Sequence, residues 1–127
     1  MLASMPHAQW YFLQENLSHE ERLRLKTHKV VQFVDNVDYA NISGVMAQLD
    51  FVVSTDTPII HIAGAMGIPS LVMLSGRTYD WRWGIVGETS NPWYPSIHNL
   101  YAPHTMASWQ EILTNAGKAI QTKFSCA

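Results

Sequence analysis

The segment with the clearest capacity for chemistry comprises residues 50–67 (DFVVSTDTPIIHIAGAMG). An apolar strand candidate is followed by a polar turn, and a helix then begins at Pro58. His61 stands four residues after Thr57, so both side chains share one face of that helix, and helical side chains lean back toward the N-terminus. The spacing therefore predicts that His61 faces the first helical turn, next to Asp56, at the rim of a cleft.

This arrangement suits the binding of an anion that carries a sugar. In open parallel sheets, ligands bind at the carboxyl ends of the strands. A helix N-terminus there offers free N–H groups and about half a positive charge, which favours a pyrophosphate. The carboxylate of Asp56 would accept hydrogen bonds from sugar or ribose hydroxyls. Each residue also has a simpler interpretation, since Asp56 and Thr57 can cap the helix and His61 can be a buried histidine. The residues alone indicate an anion-binding α/β module.

The elements that would position this site alternate along the chain. Strand candidates without polar alternation predict burial on both faces, and alternation with helices predicts right-handed crossovers in a parallel sheet. We therefore expect an α/β fold, a Rossmann-like parallel sheet with helices on both faces. A fifth strand, contributed by sequence before Met1 in a longer protein, would complete it. The strand candidates are residues 9–13, 29–34, 51–53 and 71–74, and the helix candidates are residues 17–26, 41–49, 57–66 and 108–124.

Local signals refine several of these elements. Ser18 is an N-cap candidate with Glu21 as its capping-box partner, and Gly67 is the expected end of the third helix. Residues 76–103 form an irregular, Trp-rich segment, predicted either as a loop held by aromatic packing or as a lid that stacks on a base or sugar. The inner face of the C-terminal helix is expected to comprise Trp109, Ile112, Leu113, Ala116 and Ile120.

Composition excludes several classes of function. The chain has 127 residues, which suits one domain, and a net charge of −2. Residues 30–76 contain neither Lys nor Arg, so a nucleic-acid partner is not expected. The single cysteine, Cys126, cannot form an internal disulfide or a cysteine-based metal site. Neither a membrane span nor a signal peptide is evident. We expect a cytoplasmic protein that needs no metal ion or other cofactor.

Four motifs resemble a known family of enzymes. Residues 56–63 (DTPIIHIA) and 67–69 (GIP) resemble the donor-site signature of the heptosyltransferases, which are GT-B glycosyltransferases of family 9. The closer likeness is to the glycosyltransferase-like region at the C-terminus of bacterial tetratricopeptide-repeat proteins, in which similar segments to residues 80–83 (DWRW) and 92–95 (PWYP) follow. The resemblance covers residues 10–127. It implies the C-terminal lobe of a GT-B fold, which binds a nucleotide sugar.

The resemblance also implies roles for individual residues. Asp56 would contact the hydroxyls of the donor sugar, while Thr57 and His61 would hold the diphosphate, together with the N–H of Ile59. Glu20 corresponds to a glutamate that holds the donor ribose, although a solvated helix face explains this charge equally well. The donor would be an ADP-, UDP- or GDP-linked sugar, and the catalytic residues stay unassigned.

The chain departs from the family pattern in three ways. Pro58 stands where heptosyltransferases have glycine and removes one N–H from the phosphate cradle, so that Ile59 and Ile60 are the first-turn donors expected there. The lysine that the family places near the donor phosphates has no counterpart before Trp10. The chain is also too short to include the N-terminal lobe that carries the acceptor site and catalytic base. The resemblance therefore predicts half of an enzyme, completed by a missing lobe or another subunit, with a homo-oligomer left open.

Two alternatives remain at the level of sequence. The domain can be a non-catalytic relic of the fold that serves protein interaction, which the absent lobe and Pro58 favour. It can also be a stand-alone α/β protein that resembles a response regulator. Asp35, Asp38 and Asp56 do not form the acidic cluster that this last function requires.

Overall fold

The computed structural model describes residues 5, 7–14, 16–35, 37–75, 80–85, 87–102 and 109–125. Strands and helices alternate along this part of the chain, as the sequence predicts. The elements are β1 (Trp10–Phe12), α1 (His19–Lys26), β2 (Val31–Phe33), α2 (Ile42–Met46), β3 (Val52–Thr55), α3 (Pro58–Ala65), β4 (Ser70–Leu74), a 3-10 helix (Trp81–Trp83), β5 (Ile97–Tyr101) and α4 (Trp109–Ser125).

The strands form two small parallel sheets instead of the single sheet expected from the sequence. β1 pairs with β2 in one sheet, and the order in the other is β3–β4–β5. The α/β class and the parallel pairing are thus confirmed. In the described pairing, β1 and β3 each have a partner strand on one side only.

β4 is the central strand of the larger sheet and is buried at all five positions. Its side chains alternate between two apolar clusters, as the pleat of a strand requires. Val72 and Leu74 belong to a cluster that includes residues of α2 and α3, whereas Leu71 and Met73 pack with α4. Helices therefore cover both faces of this sheet, which confirms the layered arrangement predicted from the uninterrupted apolar strand.

Helix α1 begins with the capping box that the sequence predicts. The N–H of Glu21 donates to Ser18 Oγ over 3.2 Å, and the N–H of Ser18 donates to a Glu21 carboxylate oxygen over 2.8 Å. The hydrogen bonds from Ser18 lower the pKa of Glu21, because they favour the ionised carboxylate. No residue of α1 is buried, so this helix depends on its own caps and ion pairs more than on packing.

Helix α3 also begins and ends where the sequence predicts. Pro58 is its first residue, where a missing N–H does least harm. Gly67 follows its C-terminus with a φ of 70°, the left-handed conformation that favours glycine.

Three expectations about other elements were wrong. The helix expected at 41–49 is shorter than predicted and comprises the five residues Ile42–Met46. Strand β5 lies within the segment that was expected to be irregular. The sequence did not predict this strand because Asn99, although buried, is polar. On α4, Ile112, Ala116 and Ile120 face the core as predicted, but Trp109 is 55% exposed and Leu113 is 38% exposed.

No helix in the described ranges combines the length and the apolar character that crossing a bilayer would require.

The capping box leads to a prediction about the pH dependence of stability. Because the pKa of Glu21 is lowered in the folded state, its ionised form adds stability that is fully present above the ordinary glutamate pKa and is lost as pH falls through the lowered value. We expect Glu21→Ala to lower the Tm at pH 7 and to have little effect near pH 3, measured by circular dichroism. Glu20→Ala is the matched control, since it also removes a first-turn charge but leaves the cap intact. An equal loss for both variants at pH 7 would contradict this role of the cap.

Candidate functional site

The candidate site lies where β3 ends and α3 begins. Thr57 is the N-cap residue of α3 and has an extended backbone conformation. Its hydroxyl lies 2.9 Å from Ser54 Oγ and makes no capping hydrogen bond to the helix. The helix-capping interpretation of Thr57 is therefore wrong for its side chain, which instead fixes the turn after β3.

The side chain of His61 faces the first turn of α3, which is the orientation that the spacing predicts. Its Nε2 atom lies 3.4 Å from a carboxylate oxygen of Asp56. The two side chains are about one-third exposed, at 33% for His61 and 38% for Asp56. Both are thus within reach of a ligand while still contacting each other.

The other side of the His61 ring packs against the Trp-rich segment. Its centroid lies 5.0 Å from the ring of Trp83 and 5.7 Å from the ring of Tyr94. His61 Nδ1 is 3.4 Å from the hydroxyl of Tyr94, which is long for a hydrogen bond. The histidine tautomer decides which of the two groups is the donor. The imidazole is therefore held between a carboxylate and two aromatic side chains.

Trp83 is fully buried and is held through its backbone. Its carbonyl oxygen accepts hydrogen bonds from Asn99 Nδ2 and from the Tyr101 hydroxyl, each at 2.7 Å. These donors come from β5, so the sheet fixes the position of the ring that supports His61. The buried carbonyl of Trp83 needs these two donors, because an unpaired carbonyl in the core is costly.

Buried Asn91 fixes the second aromatic contact. Its Oδ1 atom accepts hydrogen bonds from the N–H groups of Trp93 and Tyr94, both at 2.8 Å, and its Nδ2 atom donates to the carbonyl of Arg82 over 3.1 Å. One side chain thereby ties together the two tryptophan motifs. This supports the interpretation of the segment as a loop held by packing.

Two further side chains belong to the same neighbourhood. Asp80 accepts hydrogen bonds from the N–H and the guanidinium of Arg82, at 2.9 and 2.7 Å. The hydrogen bond from the backbone N–H contributes most to lowering the pKa of Asp80, and the charges of Arg82 and His61 contribute less. A basic side chain therefore lies close to the site, although the sequence between residues 30 and 76 contains none.

Two tryptophans of these motifs remain at the surface. Trp81 is 67% exposed and Trp93 is 60% exposed, and their rings meet edge to face with centroids 6.0 Å apart. The guanidinium carbon of Arg82 lies 5.0 Å from the centre of the Trp81 ring. This exposed pair offers flat aromatic surface of the kind on which sugars and bases stack.

The helix N-terminus offers fewer N–H donors than the sequence led us to expect. Pro58 has none, and the N–H of Ile60 already donates to the carbonyl of Thr57 over 3.1 Å. Among the described residues, the N–H of Ile59 has no acceptor. The side chain of Ile59 packs against the core, so only its backbone is available at this site.

Glu20 is the one predicted site residue that lies neither in the turn after β3 nor in α3. It lies in the first turn of α1, where its carboxylate pairs with Arg24 at 2.8 Å, and its side chain is 75% exposed. The solvated helix face accounts for its charge. A role for Glu20 in ribose binding stays a prediction.

The site is a corner of the protein surface. Two grooves of about 450 and 930 Å3 are lined by other residues than Asp56, Thr57 and His61. The cleft expected at this corner stays a prediction.

Sequence reasoning missed the contacts that orient His61. Trp83 and Tyr94 are 22 and 33 positions away along the chain, and no local periodicity connects them to α3. The DWRW and PWYP motifs that contain them were the signal available.

No protein family, curated protein or solved structure matches this chain.

The close approach of α3 to Tyr94 leads to a prediction about stability. A Cβ added at Gly64 would lie 2.5 Å from Tyr94 Cγ and 2.8 Å from Ile97 Cδ1. We expect Gly64→Ala to destabilise the fold by about 1–3 kcal/mol and to shift the NMR signals of the His61 ring, because Tyr94 must move. The free energy of unfolding can be measured by urea denaturation.

Gly44 provides the matched control for this substitution. It lies within α2, and a Cβ added there has no atom within 4 Å. Gly44→Ala should raise stability by up to about 1 kcal/mol through its higher helix propensity, without affecting His61. Equal effects of the two substitutions would contradict the close approach at Gly64.

Proposed function

We propose that this domain is the donor-binding half of a glycosyltransferase-like protein, in which it binds a nucleoside diphosphate linked to a sugar. The proposal includes the GT-B C-terminal lobe and the family 9 resemblance described above. The observation that carries it is the pairing of Asp56 with His61 beside the free N–H of Ile59, at the carboxyl end of β3.

The chemistry of each group suits a different part of such a donor. The N–H of Ile59 and a protonated His61 can donate to the oxygens of a diphosphate. Asp56 has accepting oxygens for sugar hydroxyls, and 38% of its side chain is exposed. Thr57 has a hydroxyl next to the same turn, already hydrogen-bonded to Ser54.

The reaction would be displacement at the anomeric carbon of the donor sugar. An acceptor hydroxyl attacks that carbon, its bond to the diphosphate oxygen breaks, and the electron pair leaves with the nucleoside diphosphate. In this scheme, positive charge on His61 and the Ile59 N–H stabilise the departing diphosphate, which gains negative charge in the transition state. In this scheme, the acceptor and the group that removes its proton belong to another lobe or another subunit.

The exposed pair Trp81 and Trp93 supports the same proposal. The face of an aromatic ring attracts the C–H groups of a sugar ring, and a base can stack on it. Trp81 stands two residues before Trp83, and Trp93 stands immediately before Tyr94, so a donor bound at Asp56 and His61 would have aromatic surface nearby.

Nucleotide binding can be measured directly. We expect ADP, UDP or GDP at millimolar concentration to shift the backbone NMR signals of residues 57 and 59–61, with smaller shifts at the indole N–H groups of Trp81 and Trp93. Substitution His61→Ala or Asp56→Ala should lower the affinity for the nucleotide sugar by about tenfold, equivalent to about 1.4 kcal/mol of binding free energy.

Two matched variants control for loss of charge and of an imidazole. Asp50→Ala removes an exposed carboxylate just before β3, and His98→Ala removes an exposed imidazole from β5. Neither should change the affinity. If no nucleotide shifts the signals of residues 57–61, or if all four variants behave alike, the donor-binding proposal is wrong.

The alternative of a non-catalytic interaction domain is favoured by one observation. Pro58 and the Thr57–Ile60 hydrogen bond leave few N–H donors for an anion at this helix end. If this alternative holds, nucleotides have no effect and the unpaired strand edges carry the function of the domain.

A further inference from the structure

A long groove lies between the unpaired edges of the two sheets. Its volume is about 930 Å3, and residues 9–14, which include β1, form one wall. Residues 48–54, which include most of β3, form another wall, and Ile120 and Phe124 of α4 line it as well. The groove is thus bordered by β1 and β3, each of which has a partner on one side only in the described pairing.

On the β1 side, alternate residues direct their backbone groups into this groove. The N–H of Trp10 donates to the carbonyl of Val30, and the carbonyl of Phe12 accepts from the N–H of Val34. Trp10 and Phe12 therefore point their backbone groups toward β2. In a parallel ladder the residues between them point the opposite way, so the N–H and C=O of Tyr11 and Leu13 face away from β2.

The same parity holds on the β3 side. The N–H of Val52 donates to the carbonyl of Pro69 over 3.0 Å, so Val52 and Ser54 face β4. The N–H and C=O of Phe51 and Val53 consequently face away from β4, toward the groove. Two rows of backbone donors and acceptors thus border one space, which is the arrangement that an added strand completes.

The walls of the groove indicate the chemistry of that strand. Among the described residues that line it there is neither Lys nor Arg, and Asp50 is the one carboxylate, located just before β3. Apolar side chains dominate, and Tyr11 and Phe124 are each 44% exposed. A strand with apolar residues on both faces, preceded by a basic residue opposite Asp50, complements these walls.

We propose that the groove binds an extended, apolar β-strand of a partner polypeptide, which pairs with β1 on one side and with β3 on the other. The strand would run parallel to β3, because each described pair, β1–β2, β3–β4 and β4–β5, is parallel. It would join the two small sheets into one continuous sheet.

Among the described residues, β2, β4 and β5 are already placed elsewhere in the two sheets, so none of them supplies this strand. The inference does not depend on nucleotide binding, since it rests on the strand edges alone.

The experiment uses amide hydrogen exchange, followed by NMR on the 127-residue chain. The probe is the peptide acetyl-Lys-Val-Ile-Val-Leu-Val-Gly-amide, and the control is the same peptide with N-methyl groups at alternate residues, which cannot donate from those positions. We expect the normal peptide to slow exchange of the Tyr11, Leu13 and Val53 amides by at least tenfold. The amides of Phe12 and Val52, which already face partner strands, should change by less than twofold.

Each other outcome overturns the proposal. Slowing at one edge alone would mean that the strand does not bridge the sheets, and equal slowing by the methylated peptide would mean apolar adsorption without pairing. Protection of the same amides that rises with protein concentration in the absence of peptide would identify a second copy of the chain as the occupant. As a second measurement, Asp50→Lys should weaken binding of the peptide that begins with Lys by at least fivefold. Asp35→Lys, two residues after β2 and outside the groove lining, should leave the affinity for this peptide unchanged.

Discussion

The geometry of the candidate site depends on the burial of Trp83. Its carbonyl is held by two donors from β5, and its ring forms the surface against which His61 packs. A tryptophan brings a large apolar area into a core, so its position is strongly determined once it is buried. Helix α3 supplies the histidine and directs it toward its first turn, and β5 holds the Trp83 ring that packs against the imidazole. The backbone of a distant segment thereby controls the chemistry at the end of β3.

The pairing of Asp56 with His61 limits what the corner can bind. A protonated imidazole next to a carboxylate has little net charge to offer a diphosphate, because the two charges largely cancel at a distance of 3.4 Å. With Pro58 lacking an N–H, the cradle is weaker than a helix end with three free donors. Sugar hydroxyls and stacking on Trp81 would then contribute a larger share of the binding free energy than the phosphates. A ligand with both a sugar and a diphosphate suits this division better than inorganic phosphate.

Features with a local cause could be predicted from the sequence, and features that depend on distant residues could not. The capping box of Ser18 and the helix end at Gly67 involve residues three or four positions apart, so both could be predicted from the local sequence. The orientation of His61 toward the first turn follows from helix geometry alone. Its contact with Tyr94 spans 33 positions and depends on the loop path. Strand β5 was missed because buried Asn99 is polar, and its burial is explained only by the Trp83 carbonyl that it binds.

The groove and the candidate site are joined through β3. The backbone of Val53 faces the groove, the next residue, Ser54, hydrogen-bonds Thr57, and Asp56 lies between them in the turn. An edge strand has fewer hydrogen bonds to hold its backbone than a strand with partners on both sides. A strand that pairs with Val53 would therefore restrict the motion of the turn that presents Asp56. Preorganised groups bind and stabilise charge more effectively than mobile ones, so completing the sheet would strengthen the site without adding any residue to it.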